Sequence, residues 1–524
     1  MIFVTAESMR EIDRRTIEDY SVSGEHLMDR AGASVADLIR RVCESSGMFR
    51  PRVLFLAGRG NNGGDAFVAA RYLKEDGYDV EVWLAGLINQ VQGDALLHMS
   101  RLNQAGVEVT ELSTMDDWLD VIDHPWDADV LVDGLLGTGL SGPVRGPLAG
   151  AIQYINQAAK EAFCISIDLP SGLNGDTGRP SGDVVRADVT ATIGLPKAGF
   201  THPGAVDYLG TVEVLDIGFP LEVTGDAVPA NRFRMLVPGE LSRLVPYRAK
   251  SSHKGSFGHV VVVAGSRRYC GAATLAGAAA LRSGAGLVTV VAPACLHGVI
   301  ASQWPELMVV AGREDEEGRL IPEGLEDVEG LLGEASAVVV GPGLGEGAGV
   351  GAVVRGVLRA SKAAVILDAS ALQVVAEDPS VLSLVEGRTV MTPHPGEMAR
   401  LLGLSAAEVQ KDREGAVRRL AEMSGGVVVL KGAGTLIAEP GREEVAISLF
   451  ANPGLATAGT GDVLAGMIGG WLGQGVARFD GACLAVYLHG RAGELASYRR
   501  SQIGMVAGDV LEDVSTALRD VTLR

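Results

Sequence analysis

RVLFLAGRGNNGGDAFVAARYLKEDG, residues 52–77, decides the fold of the first half of the chain. It opens with a run of β-favouring apolar residues ending in glycine, and closes with apolar residues at helical spacing. A strand that passes through a glycine-rich turn into a helix is the first step of a parallel α/β unit. The glycines of GRGNNGGD, residues 58–65, let backbone N–H groups approach an anion at a helix N-terminus, where the dipole favours negative charge. A tight turn alone would not require two asparagines and an aspartate beside four glycines.

Outward from that unit, DVEVWLAG, DVLVDG, CISIDLPSG and DVTATIG continue the alternation of short strands and amphipathic stretches to about Phe219, which predicts a parallel sheet covered by helices. Helical segments near 5–20 and 25–45 precede it. Between Pro220 and Pro238 the sequence is polar and lacks sustained periodicity, which marks a linker over 221–237 between domains at 1–220 and 238–524. A second α/β series follows: HVVVVAGS, GLVTVVAP, AVVVGPG, AAVILDAS, TVMTP and GVVVLKGAG, then a mostly helical tail from Asp462. The 524 residues therefore hold two different α/β domains in tandem.

Composition removes several classes of function. A formal charge of −20 argues against a basic nucleic-acid-binding surface, and 47% hydrophobic with 21% charged residues is too apolar for a disordered chain. The five cysteines, Cys43, Cys164, Cys270, Cys295 and Cys483, form no CxxC pair and suit a reducing cytoplasm. The N-terminus develops no apolar signal region. The most apolar stretches, 271–301 and 453–478, are rich in glycine and alanine and interrupted by Arg282 and Asp462, so neither reads as a membrane span. Glycine, at 70 residues, is about twice its usual ~7% share and concentrates beside apolar runs, as loops that serve ligands do.

Two further strand ends join GRGNNGGD. VLVDGLLGTGLSGPVRG sets Asp133 at one carboxyl end, and CISIDLPSGLNGDTG sets Asp168 and Ser171 at another. Ligands of open α/β sheets collect outside the carboxyl ends of strands, so the three segments converge on one crevice rich in oxygen ligands. Turn chemistry accounts for each residue taken singly. Taken together with PKAG at 196–199, the motifs GRGNNGGDA, DGLLGTG and DLPSG resemble the NAD(P)H-hydrate epimerase domain, the YjeF N-terminal family, over about residues 1–220. The resemblance implies a Rossmann-like three-layer α/β/α domain with potassium at Asn62, Asp133 and Ser171. It implies substrate contacts from Asn61, Asn62, Gly63, Gly64 and Asp65, from Gly137, Thr138, Gly139, Leu140, Ser141, Gly142 and Pro143, and from Asp168. Arg59, Ala66 and Gly134 stand where the family usually has Pro, Gly and Ala. Asp168, with Asp65, is the candidate acid–base machinery for inverting a hydroxyl-bearing carbon attached to nitrogen. Lys197 reads either as a phosphate partner or as a solvated loop lysine.

In the second domain NPGLATAGTGDVLAGMIGG, residues 452–470, carries a glycine–threonine loop into an apolar helix. The backbone N–H groups of Thr460, Gly461 and Asp462 would form an anion hole there, and Asp462 could equally be a helix cap. KGAGT at 431–435 supplies a cation and a flexible loop, and is not a Walker loop because the lysine comes first. His394 of MTPHPGEMARLLG is either catalytic or a buried turn residue. With GAATLAG at 271–277 and GPGLGEG at 341–347, these motifs resemble the ADP-dependent NAD(P)H-hydrate dehydratase domain, which is ribokinase-like, over about 238–524. The resemblance implies a second α/β/α domain, nucleotide at Lys431, Gly432, Ala433, Gly434, Thr435 and Gly461, and hydrated substrate near Ala272, Gly343, His394 and Asp462. DASAL at 368–372 departs from the usual DADAL, so Ser370 lacks a carboxylate.

The resulting expectation is a bifunctional cytoplasmic enzyme that repairs hydrated NADH and NADPH. The first domain interconverts R and S hydrates; the second dehydrates S with ADP as phosphoryl donor, giving AMP and phosphate, with magnesium and Asp462 as base. Small-molecule substrates, a homo-oligomer, and neither nucleic-acid nor membrane partners complete it. The competing expectation is a vitamin or sugar kinase fused to a noncatalytic nucleotide-binding module.

Overall fold

The computed structural model describes residues 1–139, 142–385 and 387–523, so the expected substrate contacts Leu140 and Ser141 lie outside the described residues. The chain divides into two compact units, Met1–Met235 and Leu236–Arg524.

In the first unit the strands are Arg52–Ala57 (β1), Asp79–Leu84 (β2), Val109–Glu111 (β3), Val130–Gly134 (β4), Phe163–Ile167 (β5), Val189–Ile193 (β6) and Thr211–Leu215 (β7). They form one parallel sheet in the order β3-β2-β1-β4-β5-β6-β7. Alternation along β1 explains why both faces are covered. Val53, Phe55 and Ala57 join a core with the helices Gly24–Ser45 and Asn61–Glu75, whereas Leu54 and Leu56 join one with Trp83, Trp118 and the helix Pro147–Ala158. This is the expected three-layer α/β/α arrangement. Strand order reverses between β1 and β4, which opens the crevice where ligands bind in doubly wound sheets.

The stretch expected to be a linker, 221–237, is not featureless. It carries a helical turn at Leu221–Gly225 and a short strand, Phe233–Met235 (β8), whose Arg234 bridges Ile2. A strand of three residues, Phe-Arg-Met, is too short to produce a periodic signal.

In the second unit the strands are His259–Val263 (β9), Leu287–Pro293 (β10), Met308–Gly312 (β11), Ala337–Val340 (β12), Ala364–Leu367 (β13), Thr389–Met391 (β14), Val427–Leu430 (β15), Thr435–Ala438 (β16) and Val445–Ser448 (β17). They run in the order β11-β10-β9-β12-β13-β14-β15-β16-β17. The pairs are parallel from β11 to β15, and β16 and β17 add an antiparallel hairpin beyond the apolar runs quoted from the sequence. Here the order reverses between β9 and β12. Helices Cys270–Arg282 and Thr460–Gly473 pack together against Val260 and Val262 of the sheet. Gly466 and Gly470 make this possible: a Cβ on Gly466 would collide with the Ala276 carbonyl oxygen, and one on Gly470 would lie 2.7 Å from that of Ala280. The apolar stretches 271–301 and 453–478 thus meet inside the unit. Among the described residues no helix is long and apolar enough to cross a membrane. All five cysteines are free.

Candidate active sites

The first crevice is built where β1, β4 and β5 end. Gly58 follows β1, and two glycines carry the crossing. A Cβ on Gly58 would strike the Leu135 carbonyl oxygen, and one on Gly63 the Gly58 carbonyl oxygen. The helix Asn61–Glu75 starts on Gly60, which has no side chain to cap the first N–H groups. The resulting cavity, about 570 Å³, is lined by Asn61, Asn62, Asp65, Gly137, Thr138, Gly139 and Asp168. Of the other expected contacts, Gly63 and Gly64 pack behind the loop, against Gly58 and Met28, and Gly142 and Pro143 are not among the lining residues.

Asp133 and Ser171 lie beneath this floor. Asp133 is fully buried, and its oxygens accept hydrogen bonds from Ser171 Oγ (2.6 Å), Ser171 N (2.8 Å), Ser166 Oγ (2.8 Å) and Leu135 N (3.2 Å). Burial pushes its carboxyl above the ordinary aspartate range, against the pull of those hydrogen bonds. Asn62 is buried as well, with its amide nitrogen unpartnered.

Lys197 corrects the sequence reading. Far from being a solvated loop lysine, it is 1% exposed, and its Nζ donates to Thr192 Oγ1 (3.0 Å), Ile193 O (2.9 Å) and Leu195 O (3.0 Å) while pairing with Asp168. The loop is fixed by the N-terminal segment: Val4 N donates to Pro196 O, and Ala198 N to Val4 O. Asp168 itself holds a left-handed backbone, φ +68°, at the end of β5.

A third carboxylate went unnoticed in the sequence. Asp13 lies on the helix Ala6–Tyr20 between Met9 and Ile17, at steps of four, and all three line the cavity. A charged residue on the apolar stripe was the available signal. Burial and then Asp168 raise its carboxyl to about 6, with Lys197 opposing. Asp65 is driven well above the ordinary range by burial first, then by Asp168 and Asp13.

Two departures from the family pattern explain each other. A Cβ on Gly134 would lie 2.7 Å from Ala66 Cβ, so the methyl usually borne by residue 134 is supplied here by residue 66.

The second crevice, about 280 Å³, gathers all four expected substrate contacts, Ala272, Gly343, His394 and Asp462. It also takes Tyr269, Ser370, Gln373, Glu397 and Arg400, which the sequence reading had not singled out as contacts. Gly343, φ +63°, makes the close approach: a Cβ there would lie 2.8 Å from Ala272 Cβ. His394 is not a buried turn residue. Its side chain is 56% exposed, and Nδ1 accepts from Gly396 N (3.0 Å) and Glu397 N (3.3 Å), because HPGE forms a capping box. Asp462 is not the helix cap either; Gly459 occupies that position with φ +93°. Thr460 N already donates to Thr457 O, which leaves the N–H groups of Gly461 and Asp462 for an anion.

Lys431 follows β15 and reaches Asp368 at the end of β13 (2.9 Å), with Glu397 at 3.9 Å. Thr392 Oγ1 also donates to Asp368 (2.7 Å). Burial works against the Lys431 ammonium, yet Asp368, Glu397 and Asp462 hold its pKa above the ordinary value. A Cβ on Gly461 would lie 3.3 Å from Lys431 Nζ, so the lysine and the anion-binding turn are neighbours. Gly432–Thr435 are not among the residues lining the cavity; their loop is secured from behind by Arg413, which donates to the carbonyls of Leu430, Lys431 and Gly434. Asp462 is raised to about 7 by burial and Asp368, with Lys431 opposing. Asp368 was missed although it obeys the strand-end rule that found Asp133 and Asp168.

Comparison with known proteins resolves both halves. Residues 24–199 match the family described as YjeF-related protein N-terminus, and residues 260–515 the one described as NAD(P)H-hydrate dehydratase. A bifunctional NAD(P)H-hydrate repair enzyme of Moorella thermoacetica is 38% identical over 99% of this chain and 97% of its own length. The chain belongs to the bifunctional NAD(P)H-hydrate repair enzymes. The member from Escherichia coli is 34% identical over 96% of this chain and 92% of its own. Among solved structures, an ADP/ATP-dependent NAD(P)H-hydrate dehydratase of Bacillus subtilis, co-crystallized with ATP/Mg2+, is 29% identical, covering 55% of this chain and 98% of that one at a TM-score of 0.47. Membership sets aside the kinase alternative, since repair enzymes of this family align with both halves together.

Proposed function

We infer that residues 1–220 epimerise the R and S hydrates of NADH and NADPH and that residues 238–524 dehydrate the S form. The observation that carries the first half is the pairing of unlike carboxyls in one cavity. Asp65, buried and beside other carboxylates, is pushed toward its protonated form, whereas Asp168 lies paired with the Lys197 ammonium. Asp65 is thus the acid that protonates the hydroxyl oxygen as the ring nitrogen expels it as water. Asp168 is the base that takes a proton when the oxygen returns on the other face.

Asp133, fully buried with no ion-pair partner among the described residues, suits a monovalent cation held with Ser171 and an Asn62 amide free to turn its oxygen. Bound potassium would supply the missing countercharge beneath the loop that holds the substrate.

In the second half Asp462 accepts the proton of the substrate hydroxyl. The N–H groups of Gly461 and Asp462, with Lys431, hold the phosphoryl group arriving from ADP at 431–435 and Gly461. Phosphorylation turns hydroxide into a better leaving group, and loss of the neighbouring ring proton restores the dihydronicotinamide. Among the described residues no three His, Cys, Asp or Glu side chains gather as a metal cage. Magnesium would be carried mainly by the nucleotide phosphates, with one or two of Asp368, Glu397 and Asp462. Magnesium would neutralise charge on the transferring group.

The deciding experiment incubates the full chain with mixed hydrate epimers and ADP or ATP and follows absorbance of the reduced ring. Full recovery is expected, falling to the S fraction plus slow spontaneous exchange in Asp168→Asn. Recovery at the wild-type rate in that variant rejects the assignment.

A further inference from the structure

The reading of the first unit as an epimerase leaves one charge unexplained. Four carboxylates line its cavity, Asp13, Asp65, Asp94 and Asp168, and a nucleotide substrate brings more negative charge in its phosphates. Three cations face them: Arg10, Arg59 and Lys197. Lys197 is committed to Asp168. Arg59 is held differently from five arginines of this unit that are tied up in ion pairs. Arg14, Arg40, Arg52, Arg71 and Arg101 each pair with carboxylates. Among the described residues Arg59 pairs with none; it donates through one terminal nitrogen to the neutral Gln90 amide oxygen.

The side chain is also seated. Gly86 lies under its stem, where a Cβ would be 2.9 Å from Arg59 Cδ and 3.1 Å from Cγ. This glycine has φ +150°, a conformation that other residues rarely adopt. Arg59 immediately precedes Gly60, the uncapped start of the helix Asn61–Glu75. A tethered guanidinium with no countercharge, next to free backbone N–H groups, is an anion subsite, and a guanidinium matches phosphate geometry.

We propose that Arg59 binds a phosphate group of the hydrated nucleotide in the first cavity and so sets the affinity of the epimerase for its substrate. The role rests on the epimerase reading and is one of binding: Arg59 grips the substrate away from the reacting carbon.

The test measures epimerisation by the full chain over a range of hydrate concentrations, for wild type and for Arg59→Ala, Arg59→Lys and Gly86→Ala. Loss of a charge-assisted hydrogen bond should raise KM about tenfold or more in Arg59→Ala, with kcat within about threefold of wild type. Arg59→Lys should recover part of the loss, and KM should depend less steeply on salt in Arg59→Ala than in wild type. Gly86→Ala, which leaves every charge in place, should raise KM by dislodging the side chain. Melting of the first unit, followed in the same samples, separates binding from unfolding. A wild-type KM in a folded Arg59→Ala variant, or a fall in kcat alone, overturns the proposal while leaving the epimerase reading intact. A wild-type chain that does not epimerise overturns that reading, and the proposal with it.

Discussion

Replacing Lys197 by methionine keeps the length and apolar stem of the side chain but removes the cation beneath Asp168. With the lysine 1% exposed and Asp168 only 13%, water cannot take over its role. The change strands one carboxylate together with the three oxygens that accept from Nζ, on Thr192, Ile193 and Leu195. Breaking a buried pair from one side costs about 3–5 kcal/mol, because the remaining charge stays buried and unpaired. Asp168→Asn should cost less, about 1–3 kcal/mol, since the amide still accepts hydrogen bonds and asparagine tolerates the φ of +68°. The double variant should lose less than the sum of the two, because no carboxylate is left to strand. Thermal unfolding of the full chain reads this out, the first unit carrying Trp83, Trp118 and Trp126 as reporters. A unit spanning Met1–Met235 shifts by roughly 2–4 °C per kcal/mol, so Lys197→Met should lower its transition by about 6–20 °C. A transition within about 2 °C of wild type, or strictly additive losses, would refute the ion-pair account of this loop.

Asp462→Asn should slow dehydration about 10²–10⁴-fold while epimerisation continues. With the Asp462 carboxyl near 7, wild-type kcat/KM for dehydration should climb with pH and level off above that value. Asp368→Asn should move the climb to lower pH by removing the negative neighbour, and an unmoved profile argues against Asp462 as the base. Asp13, raised to about 6, favours the fold while protonated. Its contribution is complete below about 3.8 and is lost as pH rises through 6, so Asp13→Asn should raise the melting temperature of the first unit at pH 8 and leave it nearly unchanged at pH 3.5. Equal shifts at both pH values would contradict this. Gly134→Ala should destabilise the first unit by about 1–3 kcal/mol through its clash with Ala66, and adding Ala66→Gly should restore stability in urea unfolding. Exchanging potassium for tetramethylammonium should depress epimerisation at fixed ionic strength; unchanged rates would remove the cation from Asn62, Asp133 and Ser171.

The sequence was most informative where a strong apolar run met glycine. RVLFLAG, DVLVDG and HVVVVAGS announced strands and the loops after them, because buried parallel strands are apolar on both faces. Val109–Glu111 and Thr211–Leu215 gave no comparable signal, the first too short and the second alternating with a polar residue. The strand-end rule located Asp133 and Asp168, yet a lysine in a loop carries no mark of burial. Val4, nearly two hundred residues earlier, bridges the backbone of Lys197, whose side chain is buried against Asp168, Thr192, Ile193 and Leu195. Asp13 needed the converse inference, that a charge on an apolar helical stripe is facing something. The acid and base roles proposed for Asp65 and Asp168 depend on which of them the ammonium reaches, a three-dimensional fact that spacing does not encode.

The seam between helices Cys270–Arg282 and Thr460–Gly473 bears on how the dehydratase site keeps its shape. Asp462 sits one turn above Gly466 and two above Gly470, where the helix backbones are too close for even a methyl group. Asp462, the proposed base, therefore stands at the tip of a rail that resists sliding or rolling, and its aim is set by residues that do not line the crevice. Enlarging Ala276 or Gly466 should accordingly blunt turnover more than affinity, and variation among relatives along this seam should be confined to residues no larger than the ones they replace.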